Sequence, residues 1–266
     1  MPLNSITITA NNRPHYLQRS LESLSRVAGV ANWHLYVGLE PGNDHCARIC
    51  RAIDFMPCTI LHNRVHLGVR GNPHNVLQHA FAQGSELNIH LEDDIVVSPD
   101  VCQLALWYKD LVPADVLYDV RIFFLNLFVT SIVGEANDEL TVADHFSPWG
   151  MIMNRHQWTQ MISPAWWDDE HSYLGESDWT LCLAERMNRD PQLVVLSPLL
   201  SRSTNIGREH GVHSHPERHD LLMKGLVMNR EHGPFDYKIN PKAIIPRRNI
   251  DYDTMTTTDG DYKTPM

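Results

Sequence analysis

The chain has 266 residues, 43% of them hydrophobic and 20% charged, enough to bury a full core in one large domain or a domain with a small appendage. A formal net charge of −10 excludes a general nucleic-acid binder, which carries a basic face, but leaves an anionic substrate open because a bound cation reverses the sign locally. No apolar run approaches the roughly 20 residues that span a bilayer, "MPLNSITITANNRP" is not a signal peptide, and the five cysteines, odd in number and without a CxxC, read as reduced thiols in the cytoplasm.

In chain order, the β-branched "SITITA" (5–10) reads as a first strand. "NNRPHYLQRSLESLSRVAG" follows as a helix, with Leu17, Leu21, Leu24 and Val27 on one face, Pro14 in the first turn and Gly29 as a stop. "HLYVGLE" (34–40) is a second strand turned by "PGND", "HCARICRAI" a short helix and "CTILHN" a third strand. "GNPHNVLQHAFAQG" reads as a helix opened by Pro73 and closed by Gly84, and "LNIHLE" as a fourth strand. This alternation predicts an α/β fold with a mostly parallel sheet and helices on both faces. Ligands of such sheets bind beyond the carboxyl ends of the strands, near the switch point. Three loops at that edge are polar: "NNRP", "EPGND" and "EDD".

Further along, "PDVCQLALWYKDLV" is a helix, "VRIFFLNLFV" (120–129) a strand, and "DHFSPWGMIMN" (144–154) a loop entering a short strand. "ESDWTLCLAERMN" (176–188) is helical and "QLVVLSP" (192–198) a strand. "SRSTNIGREHGVHSHPERHD" is polar, rich in His and Gly, and lacks core periodicity. The divisions expected are one domain over 1–245, with two halves meeting at about residue 100. The acidic, Thr-rich tail 246–266 is expected to wrap the surface or stay disordered.

Several residues carry candidate chemistry. Glu92, Asp93 and Asp94 end an apolar strand, where adjacent negative charges repel one another and resist desolvation. Strand alternation would turn Glu92 and Asp94 one way and Asp93 the other. A hard cation, Mn²⁺ or Mg²⁺, takes such oxygen ligands and leaves room for a substrate diphosphate; the competing reading is a solvated turn with helix-capping acids. Glu40, after the second strand, is placed to accept hydrogen bonds from a ribose or base, or else serves a turn. Arg13 lies beside a helix N-terminus that favours anions. Glu176 and Asp178 either complement a helix dipole or supply a general base. The run 201–215 holds Arg202, Arg208, His210, His213 and His215 around two glycines and suits a loop closing over a phosphate, with His213 or His215 as an alternative metal ligand.

These segments carry a resemblance. "TANNRPHYLQRSLESL" resembles the opening of GT-A (Rossmann-like) glycosyltransferases, "IHLEDDIVVSPD" is similar to the metal-binding segment of the N-acetylglucosaminyltransferase I family, and "SPLLSRSTNIGREHGVHS" resembles that family's "PEISRT…FGRKGVSHG" segment. "PWG" and "SDW" fall in the family's order, and the likeness covers roughly residues 5–215. It implies a GT-A fold and a metal-dependent, inverting transfer of a hexose or GlcNAc from a UDP-sugar to a carbohydrate or other hydroxyl acceptor. By the same resemblance Asp94 binds Mn²⁺, Glu92 and Asp93 support metal, ribose and donor sugar, and Arg13 and Glu40 contact the uridine. Loop 201–215 orders over the diphosphate. The family's base lies in an acid pair before a Trp. Here Ser177 replaces one acid, which makes Asp178 the first choice of base and Glu176 the second. The alternatives are a non-catalytic carbohydrate- or metal-binding module and a sugar nucleotidyltransferase; the latter needs a Gly-rich loop that "NNRPHYLQRS" lacks.

Overall fold

The structure is a computed structural model and describes residues 4–111, 116–117, 120–130, 136–167, 179–209, 215–243, 247–251 and 256–260. Its first half follows the alternation of the sequence: β1 (Asn4–Ala10), α1 (Pro14–Leu24), β2 (His34–Leu39), α2 (Asp44–Arg51), β3 (Cys58–His62), α3 (Gly68–Ala82) and β4 (Leu87–Glu92). A two-residue turn leads to β5 (Ile95–Val97) and α4 (Val101–Leu111). The second half brings β6 (Val116–Leu117), β7 (Val120–Asn126), β8 (Glu139–Ala143) and β9 (Met151–Asn154). The short helices α5 (Arg155–Gln157) and α6 (Ser163–Ala165) flank a π turn, Trp158–Ile162. α7 (Trp179–Arg189), β10 (Leu193–Pro198), β11 (Ser203–Asn205), α8 (Pro216–Met223), β12 (Lys238–Ile239), β13 (Arg247–Asp251) and β14 (Thr256–Gly260) complete the order.

The main sheet runs β12-β8-β10-β7-β9-β4-β1-β2-β3, with β6 beside β7. β3, β2, β1 and β4 are mutually parallel, and β7 and β10 are parallel to each other. β9 lies antiparallel between β4 and β7, so β7 and β10 point the same way as β4. The carboxyl ends of β1, β2, β4, β7 and β10 therefore share one edge.

The two faces of β1 and β4 differ in chemistry. Ile6, Ile8, Ile89 and Leu91 pack with Leu17, Leu21, Leu24, Cys46 and Cys50 from α1 and α2, and with Leu104 and Ala105 from α4, in one buried cluster. The opposite face carries Ser5, Thr7, Asn88 and His90, and α3 packs against this part of the sheet. These polar groups bond one another in a ladder: Asn88 Nδ2 donates to Ser5 Oγ at 2.8 Å, Thr7 Oγ1 donates to Asn88 Oδ1 at 3.0 Å, and His90 Nδ1 lies 2.9 Å from Thr7 Oγ1, while the buried His90 Nε2 has no hydrogen-bond partner. Burial pushes the His90 imidazole down to about 3, so it stays neutral and fits a dry core.

Three expectations are corrected. α3 begins at Gly68, so Pro73 lies inside the helix rather than at its start; the first-turn N–H groups are held by Glu40, which nucleates the helix five residues earlier. β7 ends at Asn126, before 129. Beyond it Leu127 N–H turns to Gly150 O and Val129 N–H to Ser201 Oγ, which breaks the ladder. The polar run after 200 is not wholly a solvated loop: Ser201, Arg202 and Ser203 are buried, and β11 pairs antiparallel with β5. In the tail, β13 and β14 pair as an antiparallel hairpin lying against α8.

A buried ion pair fastens the residue before β11, and the segment that carries Asn229 and Tyr237, to the start of α4. Asp100, fully buried, accepts from Arg202 Nε at 2.7 Å, Tyr237 OH at 2.7 Å, Asn229 Nδ2 at 2.9 Å and Ser98 Oγ. Arg202 also donates to the carbonyls of Leu200 and Asn137. Removing one partner strands the other as an unpaired buried charge. Asp100→Ala should cost about 3–5 kcal/mol of stability in urea unfolding, while the double variant Asp100→Leu/Arg202→Met should cost markedly less.

Candidate active site

The turn after β4 brings Asp93 and Asp94 together with Arg13, the residue preceding α1. Arg13 Nη1 donates to Asp94 Oδ2 at 2.7 Å and Nη2 donates to Asp93 Oδ1. Both acids thus turn to the same cation, contrary to the alternation expected of a strand. Glu92 is the last residue of β4, and the two acids after it occupy a tight turn in which side chains no longer alternate. The remaining oxygens are also engaged: Asp93 Oδ2 accepts Asn11 N–H at 3.2 Å and Asp94 Oδ1 accepts Asn205 Nδ2 at 3.3 Å.

Neighbouring elements hold this cluster in place. Ser20 Oγ on α1 donates to Ile95 O at 2.6 Å, Ser23 Oγ accepts Val97 N–H, and Ile206 N–H donates to Asp94 O at 2.8 Å. Gly207 lies so close to Asp94 that an added Cβ would collide with the carboxylate. Tyr16 lies under the Arg13 guanidinium, 5.8 Å from ring centroid to Cζ, and its hydroxyl accepts Glu209 N–H at 3.0 Å. Burial opposes charge on Arg13, but Asp93, Asp94 and Glu92 together overcome it and raise its pKa. For Asp93 burial dominates and Arg13 offsets it only in part, so its carboxyl is pushed up to about 6.

The other candidates are placed differently. Glu40 is 3% exposed and its carboxylate accepts Leu67 N–H at 3.0 Å and Gly68 N–H at 2.8 Å, with Asn63 Nδ2 at 3.4 Å. It anchors the start of α3 in place of presenting both oxygens to a nucleotide. Arg202, also expected at the nucleotide, is 1% exposed and bound to Asp100, away from solvent. Arg208 is exposed, and its guanidinium is shared between Asp220 at 2.8 Å and Glu209 at 2.8 Å. Asp178, Glu176, His210 and His213 lie outside the described residues. Tyr16, Asn205 and the Asn11 amide were not singled out as site groups from the sequence. The visible signal was the polar "NNRP" and "STN" at strand ends.

As arranged, the described residues do not fit a metal centre. Every oxygen of Asp93 and Asp94 already faces an N–H donor, and among the described residues no three His, Cys, Asp or Glu side chains are grouped to hold an ion. The cation that both acids share is Arg13, whose single charge offsets one of the two.

No protein-family model matches the chain, and no curated protein sequence matches it. Solved structures do. The S. aureus TarS 1–349 structure matches with a TM-score of 0.57 at 11% identity over 84% of this chain and 69% of that one. The same fragment in complex with UDP-GlcNAc matches at 0.57, with 14% identity over 83% and 64%, and in complex with UDP at 0.56, with 13% identity over 75% and 59%. The chain thus spans about six to seven tenths of the length of these structures. The fold is that of the GT-A glycosyltransferases. The finer likeness to the N-acetylglucosaminyltransferase I family remains with the sequence motifs. Among the described residues, no helix is long and apolar enough to cross a membrane.

Two measurements test the cluster. Arg13 and a divalent cation compete for the same oxygens, and charge-assisted hydrogen bonds contribute about 1.5–3 kcal/mol. Mn²⁺ alone, titrated calorimetrically, should therefore bind Arg13→Ala roughly ten- to a hundredfold more tightly than the wild type. The Asp93 carboxyl, followed by ¹³C NMR, should titrate near pH 6 and move higher in Arg13→Ala, which loses the one cation lowering it. Burial raises this group above 3.8, so its stabilising proton is fully present below 3.8 and is lost as pH rises through about 6.

Proposed function

We propose that the chain transfers a sugar from a UDP-sugar to the hydroxyl of a carbohydrate or other acceptor, with inversion at the anomeric carbon. The observation that carries this reading is the acid turn with its arginine at the carboxyl edge of β1 and β4, in a GT-A fold. That edge is where open α/β sheets bind nucleotides. The TarS crystals with UDP and UDP-GlcNAc lend support at the level of fold.

In this reading Arg13 sits where the diphosphate arrives, at a helix N-terminus that favours an anion. Asp93 and Asp94 hold the guanidinium in one orientation, so its charge is preorganised against the negative charge that grows on the departing UDP. Glu92, half-buried at the strand end, is assigned to the hydroxyls of ribose or donor sugar. Asp178 directly precedes α7 and is proposed as the base, with Glu176 second. The base takes the acceptor's proton as the oxygen bonds to the anomeric carbon, and the bond from that carbon to UDP breaks on the opposite face. Residues 206–209 cover Asp94 and the Tyr16 hydroxyl, and exclusion of water there disfavours donor hydrolysis.

A screen of UDP-sugars for UDP release, run with Mn²⁺ and with chelator, tests the reaction and whether it uses a cation. Asp94→Ala should abolish turnover while leaving the circular dichroism unchanged. Undiminished turnover in that variant would remove the acid turn from the reaction. Calorimetry with UDP separates a transferase from a plain carbohydrate-binding module, which should ignore the nucleotide.

A further inference from the structure

The two ends of the main sheet differ. One is β12, two residues long and carrying the exposed Lys238. A short, charged edge is one of the ways in which sheets avoid pairing with other chains. The other end is β3, which pairs with β2 and has no strand on its far side. It runs from Cys58 to His62 without a Lys, Arg, Pro or acid. Cys58, Thr59, Ile60 and Leu61 are half-buried and His62 is exposed.

The register with β2 fixes which backbone groups are already bonded. Leu35 N–H donates to Pro57 O at 2.9 Å, and Asn63 N–H donates to Leu39 O at 2.9 Å. Along a parallel pair such bonds use every second residue, so Pro57, Thr59, Leu61 and Asn63 face β2. The N–H and C=O groups of Cys58, Ile60 and His62 therefore point away from it, and among the described residues nothing bonds them.

This free edge is self-complementary. Turned about a two-fold axis through Ile60, a second β3 runs antiparallel to the first. Ile60 then meets its own counterpart, and Cys58 meets the counterpart of His62. Every outward N–H on each strand finds an outward C=O on the other, whereas a shift by two residues leaves groups unpaired at both ends. The side chains agree with this register. Cys58 and Ile60 lie on the face covered by α2, and Leu61 on the face covered by α3. The axis sets Ile60 against Ile60 and Thr59 against Leu61, so each chain covers apolar surface that the other leaves half-exposed. Charge favours the same direction. Asp54 precedes the strand and Arg64 follows it; both are exposed, and neither has an ion-pair partner among the described residues. Antiparallel pairing brings Asp54 of each chain toward Arg64 of the other, whereas a parallel pair sets like charges together. An exposed ion pair contributes little by itself. It selects the orientation, while the backbone bonds and the apolar cover supply the contact.

We propose that β3 is a dimerisation edge, on which a second copy of this chain adds its own β3, antiparallel across a two-fold axis at Ile60. An isologous contact of this kind closes on itself, and with β12 short and charged the assembly stops at two chains. Because the strands reverse across the axis, the carboxyl edges of the two sheets, each with its acid turn, open in opposite directions. The dimer does not depend on the sugar-transfer reading.

Sedimentation equilibrium of the full chain, from low to high micromolar concentration, should show reversible dimerisation. Hydrogen exchange followed across the same series should slow at the amides of Cys58, Ile60 and His62 as the dimer forms. Thr59 and Leu61, already bonded to β2, should change little. Ile60→Lys, which sets two ammonium groups at the axis, should weaken the dimer by about tenfold or more. Arg64→Asp, at an exposed position that leaves the core intact even where Ile60→Lys does not fold, should weaken it several-fold, and adding Asp54→Arg to that variant should restore it. A chain that stays monomeric throughout would overturn the proposal. So would a dimer whose Cys58, Ile60 and His62 amides exchange independently of concentration, or dimerisation undiminished in Arg64→Asp or in a folded Ile60→Lys.

Discussion

The forked contact of Arg13 with Asp93 and Asp94 is the constraint on which this site depends. Two adjacent carboxylates, each almost wholly buried, repel one another and resist leaving water. One guanidinium reaches both, because its planar fork presents two donors side by side. The pairing ties the loop after β1 to the turn after β4 and so fixes the distance between two separate chain segments. Asn11, Asn205 and the Ile206 amide then complete the hydrogen bonding of the turn. The turn therefore arrives at the sheet edge already ordered, with one positive charge shared between its two acids.

The same rule, that a buried charge must have a partner, decides the fate of other charged residues. Glu40 looks from its position after β2 like a ligand for a nucleotide, yet its carboxylate meets the amides that start α3. Arg202 looks from its glycine-rich surroundings like part of a phosphate loop, yet it is enclosed with Asp100 and Tyr237. Both act on the site at one remove. Glu40 anchors the helix beside β2, and Arg202 anchors the strand that delivers Asn205 to Asp94.

Much of the architecture was legible along the chain. The alternation of β-branched runs with helices stopped by glycine gave the parallel half, from β1 to β4, nearly element by element. "LEDD" also stood out as a site, because three acids after an apolar strand have no bland place in a core. The second half was less readable. An antiparallel strand such as β9 inserted between β4 and β7 leaves no mark in local periodicity, since pairing direction depends on where the chain returns. The burial of the polar faces of β1 and β4 beneath α3 is likewise settled only by the fold, where Ser5, Asn88, Thr7 and His90 bond in a ladder.

By itself the sequence determined which strands and helices form, and that acids and an arginine gather at the carboxyl edge of the sheet. Those are consequences of local spacing and of strand direction. Only the tertiary structure decided which charge answers which: that Arg13 takes both Asp93 and Asp94, that Glu40 serves α3, and that Asp100 takes Arg202 from about a hundred residues away. Electrostatic partners are chosen by proximity in a desolvated interior, and proximity between distant segments is not written in their spacing.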